Sequence, residues 1–151
     1  DQEMMAEVAR RMPQVSFVWI GPGKLMAGGG LANVHVLGPR AYAELPSYLQ
    51  HARVGVIPFN LAEHADLVNA VNPLKLYEYA AAGLSIVSTP TQEISRIGGP
   101  VRLAAGADDF EAAIAAALKA PESKTTLAAF ADLASWDRRA AVLLERLGLG
   151  D

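Results

Sequence analysis

Cysteine is absent from the 151-residue sequence, so the chain has neither a disulfide nor a metal site built on thiolate ligands. Charged residues, at 19%, fall below the usual quarter, and no apolar run reaches the ~20 residues of a membrane-spanning helix. The net charge of −3 gives no general attraction to nucleic acid or anionic membranes, so we expect no nucleic-acid partner. Any anion site must come from a local arrangement of residues.

The sequence also lacks the common short nucleotide and metal motifs. The glycine clusters at 21–23 and 28–30 do not fit the dinucleotide pattern G-x-G-x-x-G, and no Ser or Thr follows Lys24 as in a phosphate-binding P-loop. The three histidines show no spacing that suits a metal ion. Among them only His64, in a predicted long loop, has a position that favours contact with a substrate.

What the sequence does contain is 52% hydrophobic residues, enough for one globular domain with a real core. Short apolar runs bounded by glycine and proline predict strands, helical spacing of apolar residues predicts helices, and residues 59–71 are predicted to form a long loop. The predicted strands are 16–20, 33–37, 54–58, 85–88 and 101–103, of which the first and fourth are expected to be buried. The predicted helices are 2–12, 43–52, 73–82, 91–97, 108–119, 123–134 and 136–147.

Strands that alternate with helices predict an α/β fold, with a Rossmann-like parallel sheet flanked by helices. Ligands of such folds bind beyond the carboxyl ends of the strands. The segments that follow strands 16–20, 33–37, 54–58 and 85–88 should therefore meet at one edge of the sheet. The amino end of the helix at 73–82 is expected at the same edge, and the sequence shows neither an internal repeat nor a second domain.

The segment from Asn72 to Gly83 carries the clearest functional signal. Asn72 is a good N-cap residue, Pro73 suits the first helical position, and Gly83 suits a left-handed helix end. Lys75 falls in the first helical turn, beside the positive end of the helix dipole. A lysine is disfavoured there unless an anion is nearby.

Lys75 and Glu78 are three positions apart, so they share one face of the predicted helix. A helix amino end with a lysine suits a phosphate, while a carboxylate one turn later suits a pair of sugar hydroxyls. Together the two residues suit a phosphorylated ribose and hence a nucleotide. The alternative is an ordinary surface ion pair between Lys75 and Glu78, and spacing alone leaves both interpretations open.

The central motif resembles the C-terminal domain of GT-B-fold glycosyltransferases, in particular a bacterial cell-surface polysaccharide branch of the retaining family-4 type. The resemblance covers nearly all of residues 1–151 and is most specific in the central run. It rests on Asn72-Pro73-Leu74-Lys75-Leu76-Tyr77-Glu78-Tyr79, Ala81-Ala82-Gly83, Ile86-Val87-Ser88-Thr89-Pro90, 17–23, Asn33-Val34-His35-Val36-Leu37-Gly38-Pro39-Arg40, Leu45-Pro46 with Tyr48-Leu49, 54–59, and Ser135-Trp136-Asp137-x-Arg139.

The resemblance assigns roles to residues of this motif. It implies that Glu78 binds the ribose hydroxyls of a sugar nucleotide and that the helix amino end holds the diphosphate, with Lys75 as the catalytic residue. The helix amino end comprises Pro73, Leu74 and Lys75. The segment that lines the base comprises Gly38, Pro39 and Arg40, and the residues near the donor sugar are Val71 and Asn72.

The resemblance also implies partners and a setting. The donor is a nucleotide-diphosphate sugar and the acceptor is a saccharide or a lipid-linked sugar. No metal or other cofactor is expected, and Asp108-Asp109 is adjacent rather than spaced as a metal-binding D-x-D pair. The expected location is the cytoplasm, with peripheral association to the cytoplasmic face of the inner membrane.

Two departures from the family pattern limit this assignment. Many family-4 enzymes have a second glutamate eight residues before the ribose-binding one, where this sequence has Ala70, so that sugar contacts would come from Asn69 or Asn72. The family's first strand and glycine-containing loop, and its acceptor-binding N-terminal domain, do not occur in the 151 residues. The chain is therefore interpreted as a fragment that is inactive alone.

Two alternative functions stay open at this point. One is an enzyme of related shape such as a nucleotide-sugar epimerase, which the lack of clustered acid and base residues disfavours. The other is a stand-alone α/β binding module in which Lys75 and Glu78 have only structural roles.

Overall fold

The computed structural model of the protein describes residues 1–22 and 30–149, so the predicted glycine-rich loop lies largely outside the described residues. The elements follow in the order α1 (Gln2–Arg11), β1 (Phe17–Ile20), β2 (Val34–Gly38), a 3₁₀ turn (Tyr42–Glu44), α2 (Leu45–Leu49), β3 (Val54–Ile57), α3 (Leu61–Asn69), α4 (Leu74–Ala81), β4 (Ser85–Ser88), α5 (Gln92–Ile97), β5 (Val101–Leu103), α6 (Ala107–Lys119), α7 (Lys124–Leu133) and α8 (Trp136–Arg146).

All described strand pairs are parallel, which confirms the predicted α/β class with parallel sheet flanked by helices. The expectation of one continuous sheet is not met. Strand β1 pairs with β2, and β3, β4 and β5 form a second sheet in that order. No described strand hydrogen-bonds to both sheets. The two sheets are instead connected through the side chains of a shared core.

The second sheet has helices on both faces, because successive residues of a strand point to opposite sides. On one face Val87 packs in a core with α1 and α6, which contribute Val8 and Phe110. On the other face Ile86 packs in a second core with Leu76 of α4 and Leu127 of α7. Strand β4 is buried along its whole length, as predicted, since both of its faces are covered.

Residues 16–20 were predicted to form a buried strand, and the prediction of burial is wrong. Strand β1 forms at nearly the predicted position, but no residue of it is fully buried and the Val18 side chain is 56% exposed. Phe17 packs against the same core as Val54 and Val56 of β3, so β1 contributes one face only. Composition identified the strand but could not identify how many of its faces are covered.

Asn33 attaches the first sheet to helix α1. Its side-chain amide donates to the carbonyl oxygens of Ala9, Met12 and Val15 at 3.0, 3.1 and 3.0 Å. Two amide hydrogens are thus shared among three acceptors around the carboxyl end of α1, where backbone carbonyls lack helical partners. This contact holds the start of β2 against the helix that precedes β1.

The predicted long loop at 59–71 is wrong, because most of it forms helix α3. Asn60 caps this helix: its side-chain oxygen accepts the amide hydrogen of Glu63 at 3.1 Å. The helix is bent at His64, whose backbone has φ −133° and ψ 30°. Among the residues of α3 only Val68 is buried. A helix that buries so little of its surface needs no regular stripe of apolar residues, so the sequence pattern did not predict it.

Several other boundaries differ from the predicted ones by a few residues. The helix predicted at 43–52 divides into the 3₁₀ turn and α2. Helix α6 starts at Ala107, one residue before the predicted start, with Gly106 as its N-cap. Asp109 accepts the backbone hydrogen of Ala105 at 3.1 Å.

Helix α8 begins where predicted, since the Ser135 side chain accepts the amide hydrogen of Arg138 at 3.3 Å. None of its residues is buried, and Trp136 is 80% exposed. One contact between α8 and the rest of the fold is made by Arg139, whose guanidinium lies 5.8 Å from the ring centre of Tyr77 on α4. The same guanidinium lies 5.5 Å from the Trp136 ring.

Candidate functional site

Helix α4 has an amino end without a side-chain cap. Its N-cap is Pro73, with φ −78° and ψ 117°, and the Pro73 carbonyl accepts the amide hydrogen of Leu76 at 3.0 Å. The predicted N-cap at Asn72 is therefore wrong by one residue: the proline carbonyl, not the asparagine, opens the helix. Because no described side chain caps α4, its first amide hydrogens are available to an anion.

The carboxyl end of α4 has the glycine-dependent geometry that the sequence predicted. Gly83 has φ 75°, and its amide hydrogen bonds to the Ala80 carbonyl at 2.9 Å. The amide of Leu84 bonds to the Tyr79 carbonyl at 2.9 Å, which completes a Schellman motif and turns the chain directly into β4.

Lys75 is exposed, and within residues 1–22 and 30–149 it takes part in no ion pair. In particular its amine is not within salt-bridge distance of Glu78, so the surface ion pair considered as an alternative does not form. Lys124 occupies the first turn of α7 in the same way. A lysine at a helix amino end is therefore not unique to α4 in this fold.

The two lysines differ in the edge of the sheet that they occupy. Lys124 lies against Gly83, with its Cγ 3.8 Å from a Cβ built there, at the end of α4 that leads into the start of β4. Lys75 lies at the opposite end of α4. This is the edge where the parallel strands end, and where ligands of such sheets bind.

Glu78 is half-buried and is contacted by a residue that the sequence analysis did not select. The Tyr42 hydroxyl donates to Glu78 Oε1 at 3.1 Å, across 36 positions of sequence. The contact raises the pKa of Tyr42, first through the hydrogen bond and then through the negative charge of the carboxylate. The signal available in the sequence was only that Tyr42 follows Gly38, Pro39 and Arg40 closely.

The segment after β2 is held in place by local contacts. Gly38 has φ 71°, and its carbonyl accepts the amide hydrogen of Gly21 at 3.1 Å, so the ends of β1 and β2 meet. Pro39 and Arg40 are exposed. The Arg40 guanidinium donates to the Tyr48 hydroxyl at 2.8 Å and lies 5.9 Å from that ring centre. Arg40 is thus paired with α2 and does not contact Lys75 or Glu78.

The carboxyl ends of β3 and β4 are joined by hydrogen bonds at the same edge of the sheet. The amide of Thr89 donates to the Ile57 carbonyl at 3.1 Å, and the Thr89 hydroxyl donates to the Phe59 carbonyl at 3.1 Å. The Ser88 hydroxyl also donates to the Ile57 carbonyl, at 3.3 Å. These hydrogen bonds fix the carboxyl ends of β3 and β4 relative to each other. The side chains of the candidate site come from α4 and from the segment after β2.

Of the residues predicted near the donor sugar, Val71 is half-buried and Asn72 is exposed with no side-chain hydrogen bond. Asn69, the other candidate, is occupied: its side-chain oxygen accepts the amide hydrogen of Gln92 at 2.9 Å at the start of α5. His64 lies on α3, with Nε2 3.8 Å from Glu63 Oε2. Asn72 therefore stays the open polar position next to α4.

Tyr79 shows how closely α4 approaches the sheet. A Cβ built on Gly55 of β3 would overlap the Tyr79 ring, with Cε2 only 2.8 Å away. Burial raises the pKa of Tyr79, with a smaller contribution from the charge of Glu78. Gly55 thus sets the height of α4, and with it the position of Glu78, above the sheet.

The candidate site does not belong to either of two cavities of about 420 and 410 Å³. One lies beside Gly99 and Phe130 and the other beside Asn33 and His35, and neither includes Lys75, Glu78 or Tyr42. Within the described residues no group of three or more His, Asp or Glu side chains is arranged to hold a metal ion. No helix in this part of the chain is long and apolar enough to cross a bilayer.

Comparisons with known proteins agree with this architecture. Over 106 residues the chain is 31% identical to TuaH of Bacillus subtilis (strain 168), whose name assigns it, provisionally, as a glycosyltransferase of teichuronic acid biosynthesis. Over 126 residues it is 32% identical to a UDP-glucuronate:glycolipid 2-beta-glucuronosyltransferase of Xanthomonas campestris pv. campestris. These alignments cover 66% and 80% of this chain, but only 26% and 30% of the two relatives.

The match to a whole sequence family is broader. Residues 2–120 match the family described as "Glycosyl transferases group 1". This range includes both sheets, α4 and the segment after β2, and thus every residue of the candidate site. The match extends over most of the 151 residues, and we conclude that the chain belongs to the glycosyl transferases group 1 family.

Proposed function

We propose that this chain is the donor-nucleotide-binding part of a glycosyltransferase, the C-terminal half of a GT-B enzyme of the family-4 type. Glu78 accepts hydrogen bonds from the ribose hydroxyls, and the amino end of α4 with Lys75 binds the diphosphate. The observation that carries the proposal is the contact between Tyr42 and Glu78. It connects the predicted base-binding segment after β2 to the helix predicted to bind ribose and phosphate.

The remaining predicted site residues surround this contact. Gly38, Pro39 and Arg40 line the base, while Val71 and Asn72 lie next to the donor sugar. The amide groups of Leu74 and Lys75, after Pro73, face the diphosphate. Since Arg40 is paired with Tyr48, it contributes its backbone and position to the base site rather than a free charge.

The chemistry follows from charge. As the bond between sugar and diphosphate breaks, negative charge grows on the leaving diphosphate. A lysine and oriented amide groups that are already in place stabilise this charge without reorganising. In this role Lys75 is the catalytic residue, and no metal ion is required for the same task.

The relatives suggest the substrate class. The name of the Xanthomonas protein gives UDP-glucuronate as donor and a glycolipid as acceptor, and that of TuaH gives teichuronic acid biosynthesis. We therefore assign a UDP-hexose or UDP-hexuronate donor, a saccharide or lipid-linked acceptor, and polysaccharide biosynthesis. A cytoplasmic location and peripheral membrane association complete the proposal, and cell fractionation tests both. Product NMR decides between retention of configuration, which the family-4 resemblance implies, and inversion, which the β-linkage in the name of the Xanthomonas protein suggests.

Nucleotide titration of the complete gene product tests the donor site. Isothermal calorimetry should detect UDP binding, and Glu78→Ala should weaken it about 10- to 150-fold, since hydrogen bonds to a charged group contribute roughly 1.5–3 kcal/mol. Lys75→Ala should weaken UDP binding and slow turnover. Lys124→Ala is the matched control, because it removes a lysine from the first turn of another helix, at the opposite edge of the sheet.

Three results would count against the proposal. Full UDP affinity in Glu78→Ala would remove the ribose assignment, and equal effects of Lys75→Ala and Lys124→Ala would remove the diphosphate assignment. If UDP, GDP and ADP all fail to bind, the binding-module alternative is favoured. An epimerase would convert the donor without an acceptor, which chromatography of the reaction products distinguishes from transfer.

A further inference from the structure

We infer that Tyr42 is a positioning residue for the ribose-binding carboxylate: its hydroxyl holds Glu78 in the orientation that accepts a vicinal diol. This inference rests on the proposed function and extends it to a residue outside the motif of α4. The observation behind it is the hydrogen bond from the Tyr42 hydroxyl to Glu78 Oε1 at 3.1 Å.

The backbone that carries Tyr42 is fixed independently of Glu78. Tyr42 opens the 3₁₀ turn after β2, in which the Glu44 amide donates to the Ala41 carbonyl at 2.9 Å. The Glu44 carboxylate accepts the Ala41 amide hydrogen, also at 2.9 Å. These two hydrogen bonds between Ala41 and Glu44 fix the backbone of the turn, and with it the position of the Tyr42 Cα. The ring itself is 74% exposed and is not held by the core.

Glu78 depends on Tyr42 for its orientation. Within the described residues its carboxylate has no hydrogen-bond or ion-pair partner other than this hydroxyl. A glutamate side chain without a partner samples several rotamers, and ordering it on ligand binding costs free energy. A donor that is already in place removes part of that cost.

The polarity of the contact suits a diol ligand. An ionised carboxylate is an acceptor with about four lone-pair sites, and Tyr42 uses one of them on Oε1. The remaining sites, including all of Oε2, stay free for two further donors. The 2′- and 3′-hydroxyls of a ribose are such donors, whereas a phosphate is not. Tyr42 therefore orients Glu78 without occupying the ligand's place.

Ligands that differ only in the diol provide the test. With the complete gene product, calorimetry should give a preference for UDP over 2′,3′-dideoxy-UDP in the wild type. Tyr42→Phe should lower UDP affinity roughly two- to tenfold, because the Glu78 side chain must then be ordered when the ligand binds. It should leave affinity for the dideoxy nucleotide unchanged. Tyr77→Phe is the control: it also removes a hydroxyl, next to Glu78 in sequence, from a ring that stacks on Phe130.

Each other outcome contradicts a specific step. Unchanged or tighter UDP binding by Tyr42→Phe overturns the inference, and tighter binding would mean that Tyr42 competes with the ribose. An equal loss for both nucleotides also overturns it, since the effect would then not pass through Glu78. If the wild type binds UDP but does not distinguish the two nucleotides, the ribose assignment of Glu78 fails and the role of Tyr42 fails with it.

Discussion

The hydroxyl of Tyr42 donates a hydrogen bond to the carboxylate of Glu78, so the pKa of Tyr42 can be used to detect this contact. The hydrogen bond and the charge of Glu78 raise the pKa of Tyr42 above its ordinary value of about 10. Because the native pKa is the higher one, the contact contributes fully below pH ~10. It is lost as the pH rises through the native pKa of Tyr42.

We expect ultraviolet titration near the tyrosinate band to show an ionisation above pH 10 that is absent from Tyr42→Phe. In Glu78→Gln the pKa of Tyr42 should fall back toward 10, because the negative charge is removed. Tyr79, whose pKa is raised mainly by burial, should keep its high value in that variant. Titration of Tyr42 at an ordinary pKa in the wild type would contradict the contact.

Gly55 is the residue that lets α4 lie close to the sheet. A side chain there would overlap the Tyr79 ring, and overpacking of this kind costs roughly 1–3 kcal/mol. Gly55→Ala should therefore lower the free energy of unfolding by about that amount. It should also weaken nucleotide binding, because it lifts the helix that carries Lys75 and Glu78. Thermal denaturation and calorimetry measure the two effects.

A second substitution distinguishes the steric overlap with the Tyr79 ring from an effect of Gly55 on the backbone conformation. In a Tyr79→Leu background the ring is gone, so Gly55→Ala should cost little, and the double-mutant cycle should give a strong coupling. Additive effects of the two substitutions would show that Gly55 acts through backbone conformation instead.

Among the elements, α3 best shows the limits of sequence reasoning. Its cap residue Asn60 is visible in the sequence, but only Val68 is buried, so the helix lacks the apolar periodicity on which the prediction of helices relied. The helix is defined by its capping contact and by packing at one position. Those are properties of the folded chain.

Asn60→Ala should remove this cap and destabilise α3 by about 1 kcal/mol. Hydrogen exchange should show faster exchange first at the amide of Glu63, because the Asn60 side-chain oxygen accepts the hydrogen of that amide. Asn72→Ala is the matched control, since Asn72 resembles an N-cap in sequence but makes no such contact, and it should leave stability unchanged. Equal destabilisation by the two substitutions would contradict the cap assignments.

Much of the fold followed from local sequence signals. Gly83 ends α4 as predicted, and α5 and α8 begin within one residue of the predicted starts. The candidate site was predicted less completely. Lys75 and Glu78 are adjacent on one helix, whereas Tyr42 reaches Glu78 only through the folding of two distant segments, which helical or strand periodicity does not encode.

At the scale of the whole molecule, the two sheets have unequal support. Strand β4 is buried throughout and hydrogen-bonded on both edges, whereas β1 and β2 contain no fully buried residue. The first sheet depends on α1, through Phe17 and the Asn33 contacts. It should therefore open at a lower free energy than the second sheet.

Native-state hydrogen exchange can resolve these openings. Amides of β1 and β2 should exchange through a subglobal opening, while those of β4 should exchange only by global unfolding. Asn33→Ala should lower the opening free energy of the first sheet by about 1–3 kcal/mol, because it removes the amide donor of the Ala9 and Val15 carbonyls. Exchange of both sheets in a single step would contradict this division.

The separation between Lys75 and Glu78 has a consequence for the way the site responds to ionic strength. Lys75 is exposed and unpaired in the described fold, so its attraction for a diphosphate is screened over about 8 Å at physiological salt. The contact between Glu78 and Tyr42 is a direct hydrogen bond and is screened much less. Added salt should therefore erode the phosphate part of donor affinity while it leaves the preference for ribose over dideoxyribose intact.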